Sequence, residues 1–105
     1  SKSRKEEERE KESIIHRNLT DIFYIIFSNM KALLEYIAKA VTKFPDDVKV
    51  EEVADGTNIT LNLTLNNEDK PLIIGKMGRN IKAIRDTVAL IAVREGKRVY
   101  IKVLD

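Results

Sequence analysis

The stretch Ile73-Ile74-Gly75-Lys76-Met77-Gly78-Arg79-Asn80-Ile81 decides how this chain is read. Two glycines flank two variable residues, after an apolar segment and before a basic amphipathic one. Glycine lets a backbone turn sharply and approach a ligand with no Cβ in the way. A helix N-terminus directly after such a turn aims free N–H groups and the positive end of its dipole at whatever sits there, which favours phosphate. Lys76 and Arg79 add full charges. The pattern reads as a clamp for a nucleic-acid backbone. It is not a P-loop, because the four-residue spacing and the Lys-Ser/Thr pair after the second glycine are missing.

The flanks place this loop between helices. Asn67-Glu68-Asp69 supplies cap-like residues, and Pro71 suits a first helical turn, so a short helix through Leu72-Ile73-Ile74 is expected to end at Gly75. A longer helix follows from about Arg79 to Glu95, with Ile81, Ile84, Val88, Ile91 and Ala92 as its core stripe and Gly96 as its C-terminal cap. Val99, Ile101 and Val103 alternate with Tyr100 and Lys102 in a last strand. Upstream, Val48, Val50 and Val53 mark a short strand, Asp55-Gly56 a hairpin turn, and Ile59, Leu61, Leu63 and Leu65 the buried side of a second strand.

Before the strands, Ile15, Leu19, Ile22, Ile26, Met30, Leu33, Ile37, Val41 and Phe44 recur at the helical period. One continuous helix ended by Pro45 fits this pattern. So does a break at Ser28-Asn29, both good N-cap residues. Around Ile22-Phe23-Tyr24-Ile25-Ile26-Phe27 such a helix is apolar on every side, which calls for self-association or for packing back on the domain. Residues 1–13 carry five basic and five acidic groups and almost no apolar area, so they read as a frayed helix or a disordered tail.

Charge is unevenly distributed along the 105 residues. Residues 70–102 carry nine basic groups against two acidic ones, a balance of +7, whereas residues 29–69 carry four against eight, a balance of −4. Positive charge concentrated around the glycine loop is the footprint of a polyanion site. The chain has no Cys, which excludes a disulfide framework or a Cys-based zinc site and fits a reducing cytoplasm. No apolar run approaches the roughly 20 residues of a membrane-spanning helix. An enzyme is not expected. The single His, His16, lies in the extension, where it reads as a surface or interface residue, no Ser can be set beside a His within the domain, and Asp46-Asp47 and Glu51-Glu52 read as solvated surface. No metal or cofactor is called for.

Ile74-Gly75-Lys76-Met77-Gly78-Arg79-Asn80-Ile81-Lys82-Ala83-Ile84-Arg85 resembles the GXXG loop and following helix of KH domains. Met30-Lys31-Ala32-Leu33-Leu34-Glu35-Tyr36-Ile37-Ala38-Lys39-Ala40 is similar to the opening helix of the small bacterial single-KH proteins called KhpA, and Glu95-Gly96-Lys97-Arg98-Val99 to their approach to the last strand. Met77 stands where that family is commonly polar. The resemblance implies an α+β fold, the type II KH domain, in the order helix-strand-strand-helix-helix-strand. A three-stranded mixed sheet would carry helices on one face, its last two strands parallel through a right-handed crossover. It divides the chain into a charged tail (1–13), an amphipathic helical extension (14–29) and the KH domain (30–105).

The resemblance also implies single-stranded RNA as ligand, with the loop gripping the backbone of about four nucleotides. The binding residues carried over are Ile74, Gly75, Lys76, Met77, Gly78, Arg79, Lys82 and Arg85. Ile73, Ile74 and Ile81 are candidates for an apolar floor under the bases, with core packing as the alternative for Ile74 and Ile81. No aromatic residue lies between Phe44 and Tyr100, so base stacking is scarce and affinity should be modest, salt-sensitive and weakly sequence-specific. Proteins of this kind are implied to pair with themselves and with a larger KH protein, KhpB (also Jag), and to regulate RNA in cell elongation and wall synthesis. Two other readings stay open: a protein-interaction module with little intrinsic nucleic-acid binding, and a single-stranded DNA binder.

Overall fold

The computed structural model describes residues 3–6 and 29–105. The expected helical extension over 14–28, with its all-round apolar segment, lies outside the described residues, as does most of the charged tail.

Helix α1 spans Met30–Val41. Asn29 is extended (φ −131°, ψ 116°), and its side-chain oxygen accepts a hydrogen bond from the Ala32 N–H at 3.1 Å. It is an N-cap, so α1 begins at Met30 and does not continue back through Asn29. Nor does α1 reach Phe44: Thr42 turns extended while its N–H still bonds Ala38 O. The residue before a proline avoids helical geometry, and Phe44-Pro45 opens a separate turn over Pro45–Asp47.

Strands β1 (Lys49–Asp55) and β2 (Asn58–Thr64) form an antiparallel hairpin. The turn is one residue later than expected. Asp55 pairs with Asn58, so Gly56 and Thr57 are the central pair, with positive φ at Gly56 alone, as in a type II′ turn. Val50 is buried, but Val53 sits on the opposite face because three residues is an odd step in a two-residue repeat. After β2 come α2 (Lys70–Ile74), α3 (Arg79–Arg94) and β3 (Arg98–Val103). β3 pairs parallel to β2, giving the sheet order β1-β2-β3. The α2–loop–α3 segment supplies the crossover that a parallel pair requires. The type II KH order of elements is therefore observed.

One face of the sheet holds the core. Ile59, Leu61 and Leu63 of β2 meet Leu33, Leu34 and Ala38 of α1 and Ile84, Val88 and Ile91 of α3, with Ile73 of α2 fully enclosed. Asp69 is the one buried charged residue among those described. Its two carboxylate oxygens accept the Lys43 and Phe44 N–H groups at 2.9 and 3.0 Å. The side chain thus ties the chain leaving α1 to the start of α2. The cap of that segment is Asn66, which accepts from Glu68 N–H at 2.9 Å, one residue earlier than the cap-like run suggested.

Candidate nucleic-acid interface

The loop between α2 and α3 is built on three residues of positive φ, Gly75, Met77 and Gly78. Gly75 ends α2 at φ +74°, ψ 176°, while its N–H closes the helix onto Pro71 O at 2.8 Å. That combination of angles is open essentially only to glycine. Space forbids a side chain as well. A Cβ at Gly75 would lie 2.5 Å from Asn80 Cγ, because the Asn80 side chain folds back under the loop and donates to Leu72 O at 2.9 Å. Met77 (φ 57°, ψ 27°) and Gly78 (φ 73°, ψ 15°) then swing the chain into α3. Gly78 N–H bonds Gly75 O at 3.2 Å. A left-handed conformation costs a non-glycine residue about 1–2 kcal/mol, and Met77 bears it while 85 % exposed.

Gly78 occupies the N-cap position of α3, where no side chain makes a cap bond. The sixteen-residue helix therefore points its positive end outward beside the loop. Lys76, Arg79 and Lys82 are exposed around it, and among the described residues no carboxylate pairs with them. Arg85 lies 3.4 Å from Asp86, a pair exposed enough to contribute little. Lys82, Arg85 and Ala89 recur on one stripe of α3. That stripe looks onto β3 across a cleft of about 270 Å³, lined by Arg85, Ala89, Val93, Lys97, Arg98 and Tyr100 among others.

Of the eight residues expected at the site, the structure brings Gly75, Lys76, Met77, Gly78 and Arg79 together in the loop and its helix start. Arg85 lies in the cleft and Lys82 on the stripe between them. Ile74 is part-exposed at 38 % beside the loop. Ile73 is fully buried core, so it forms no floor, and Ile81 packs partly buried against the core. Lys97, Arg98 and Tyr100 were missed. Their signal was the parallel β2–β3 pairing, which sets β3 beside α3. Tyr100, half-exposed at 49 %, adds one aromatic residue at the cleft border. Asn80 was missed too, and nothing in its helical spacing reports its bond back to Leu72.

Backbone groups complete the cleft. Arg98 and Leu104 N–H bond Thr57 and Leu63 carbonyls of the β2 side at 2.9 Å each. In a parallel ladder alternate residues bond the neighbour, so Val99, Ile101 and Val103 turn their N–H and C=O groups to the unpaired edge.

Residues 31–103 match the family described as KhpA/KhpB, KH domain. The chain belongs to the KhpA/KhpB KH-domain family. Its relatives include proteins named RNA-binding protein KhpA from Clostridium acetobutylicum, 45 % identical over 75 residues, and from Halalkalibacterium halodurans, 40 % identical over 76 residues. These alignments cover 71 % and 72 % of this chain and all of each KhpA relative. The KhpA of Chlamydia trachomatis is 37 % identical, with 72 % of this chain and 97 % of the relative covered. Among solved structures, Era in complex with MgGDPNP and nucleotides 1506–1542 of 16S ribosomal RNA superposes with a TM-score of 0.50 at 19 % identity. That likeness covers 70 % of this chain and 28 % of Era, and it concerns the fold. The described KhpA-type domain contains no helix long and apolar enough to cross a membrane.

Proposed function

We propose that this protein binds single-stranded RNA through the Gly75–Gly78 loop. The observation that carries the reading is the left-handed turn that opens the uncapped N-terminus of α3 between Lys76 and Arg79. Two phosphates would sit against the loop N–H groups and these side chains, and Lys82 and Arg85 would extend the positive path along α3. Bases would lie between Ile74 and the cleft, with Tyr100 at the border and the β3 edge groups within reach of base edges. Lys97 and Arg98 close the far end. The KhpA relatives named as RNA-binding support the same reading.

The chain would act in the cytoplasm as a post-transcriptional regulator or RNA chaperone. We infer that it pairs with itself or with a KhpB/Jag-like KH protein, in the setting of cell elongation and wall homeostasis. The shared KhpA/KhpB family supports the partner's class. A contact role for α3 has one specific observation behind it: Leu90 is 72 % exposed, and Val93, at the border of the cleft, 75 %. The test is binding of short single-stranded RNA and DNA by the wild type and by Lys76→Asp/Met77→Asp. Binding that is lost in the variant supports the RNA reading. An unaffected variant turns the reading toward an interaction module, and equal DNA binding removes the preference for RNA.

A further inference from the structure

The helix side of the domain carries an apolar groove that the fold leaves open. Ile84, Val88 and Ile91 turn one side of α3 into the core. The neighbouring stripe, Asn80, Ala83, Thr87 and Leu90, borders a seam with α1, which contributes Leu33, Ile37 and Val41 at four-residue spacing. Two cavities lie along this seam. One of about 240 Å³ has Leu33, Thr87 and Leu90 in its wall. The other, of about 320 Å³, has Ile37, Val41, Leu72 and Ala83. The Thr87 hydroxyl donates to Ala83 O and the Asn80 amide to Leu72 O, each at 2.9 Å, so neither asks an occupant for a hydrogen bond. Leu90, Val41 and Leu72 stay exposed along the groove. It suits apolar side chains presented at helical spacing.

We propose that the occupant is the segment 15–27 of the same chain, outside the described residues, folded back as a helix antiparallel to α1. This goes beyond the RNA reading and does not depend on it. Asn29 is extended where it caps α1, so the chain can change direction there, and Ser28-Asn29 is a sufficient connection between two antiparallel helices. The segment joins α1 at Met30, one turn from Leu33 in the nearer cavity. Reversal at this point sets Ile26 level with Leu33, Ile22 with Ile37 and Leu19 with Val41, in a single register. Ile15, Leu19, Ile22 and Ile26 share one side of such a helix. They span about 17 Å, enough to run the length of the seam from Leu33 to Val41, about 12 Å. Arg17, Thr20, Asp21 and Tyr24 fall on the opposite side. Tyr24 is the one residue of the apolar run 22–27 whose side chain has a polar atom, and it takes the solvent side. A segment tethered beside its groove has an effective concentration in the millimolar range, so it occupies the groove ahead of a dilute partner. The docked helix covers Leu90, and a partner that uses this face must displace it first.

The chain has no cysteine, so engineered thiols report the packing in the full chain. A short bis-maleimide should join Ile26→Cys to Leu90→Cys within one chain. The pair Tyr24→Cys/Leu90→Cys, with Tyr24 on the far side of a helix about 10 Å across, should link far more slowly. A second readout is the alkylation rate of Leu90→Cys alone. Adding Ile22→Asp/Ile26→Asp should undock the segment and raise that rate by about tenfold or more, at every protein concentration. Val88→Cys in the same background, a core position, should stay unreactive and so show that the domain remains folded. The proposal is overturned if the Tyr24 pair links as fast as the Ile26 pair, or if links form only between chains. It is also overturned if Leu90→Cys reacts equally with and without the two aspartates. Protection of Leu90→Cys that fades on dilution would contradict it as well, and would give the groove to a second copy.

Discussion

The two ends of the glycine loop differ in how much of the protein depends on them. At Gly75 the backbone adopts angles open only to glycine, and the Asn80 side chain fills the space a Cβ would need. At Gly78 the nearest neighbour to an added Cβ is Ile81 Cγ2 at 4.0 Å, an ordinary contact. One end is locked onto α2 through Asn80 and Leu72; the other opens to solvent at the head of α3. A loop that must present N–H groups to phosphate needs both, a fixed hinge and an unobstructed mouth. The identical letters of the motif conceal this division of work.

Replacing the hinge glycine is the strongest way to break the comparison. Gly75→Ala should lower stability by about 3 kcal/mol or more, from forbidden backbone angles together with the Asn80 clash, read as the shift in urea midpoint. Asn80→Ala removes the bond to Leu72 O and should cost about 1–2 kcal/mol. It also removes the clashing atoms, so the double variant Gly75→Ala/Asn80→Ala should be more stable than the two single losses combined would make it. Additive losses would mean that Asn80 does not set the hinge. Gly78→Ala should cost only about 1 kcal/mol, the left-handed penalty alone; a loss equal to that of Gly75→Ala would erase the distinction. Met77→Asn sharpens it at the smallest scale. Asparagine tolerates the left-handed region better than methionine, so stability should rise by a few tenths of a kcal/mol, about 0.5 at most.

Much of this was legible in the sequence because it rests on local rules. The two-residue alternation from Ile59 to Leu65 gave the central strand, and the stripe from Ile84 to Ala92 gave the core side of α3. The glycines with their flanking charges marked the loop. Readings that rested on spacing alone slipped by a residue or a turn. The hairpin turn moved to Gly56-Thr57, and α1 stopped at Val41, where Thr42 turns extended and Asp69 takes the Lys43 and Phe44 N–H groups. What was not legible joins residues distant in the chain. Asp69 reaches back to Lys43 and Phe44, Asn80 to Leu72, and β3 comes beside α3 only after the crossover. Periodicity reports that a side chain is buried, not what it touches. It could not separate Ile73, wholly enclosed, from Ile74 beside it, which emerges next to the loop.

The most direct test is the affinity of wild type and of Lys76→Asp/Met77→Asp for short single-stranded RNA at two salt concentrations, with urea unfolding of both proteins alongside. Both substituted side chains are exposed, so the variant should unfold like wild type. Wild-type binding should weaken steeply with added salt, and the variant should bind about tenfold more weakly or not at all. A stably folded variant that binds RNA as well as wild type, at either salt concentration, would contradict the assignment of the Gly75–Gly78 loop as the phosphate clamp.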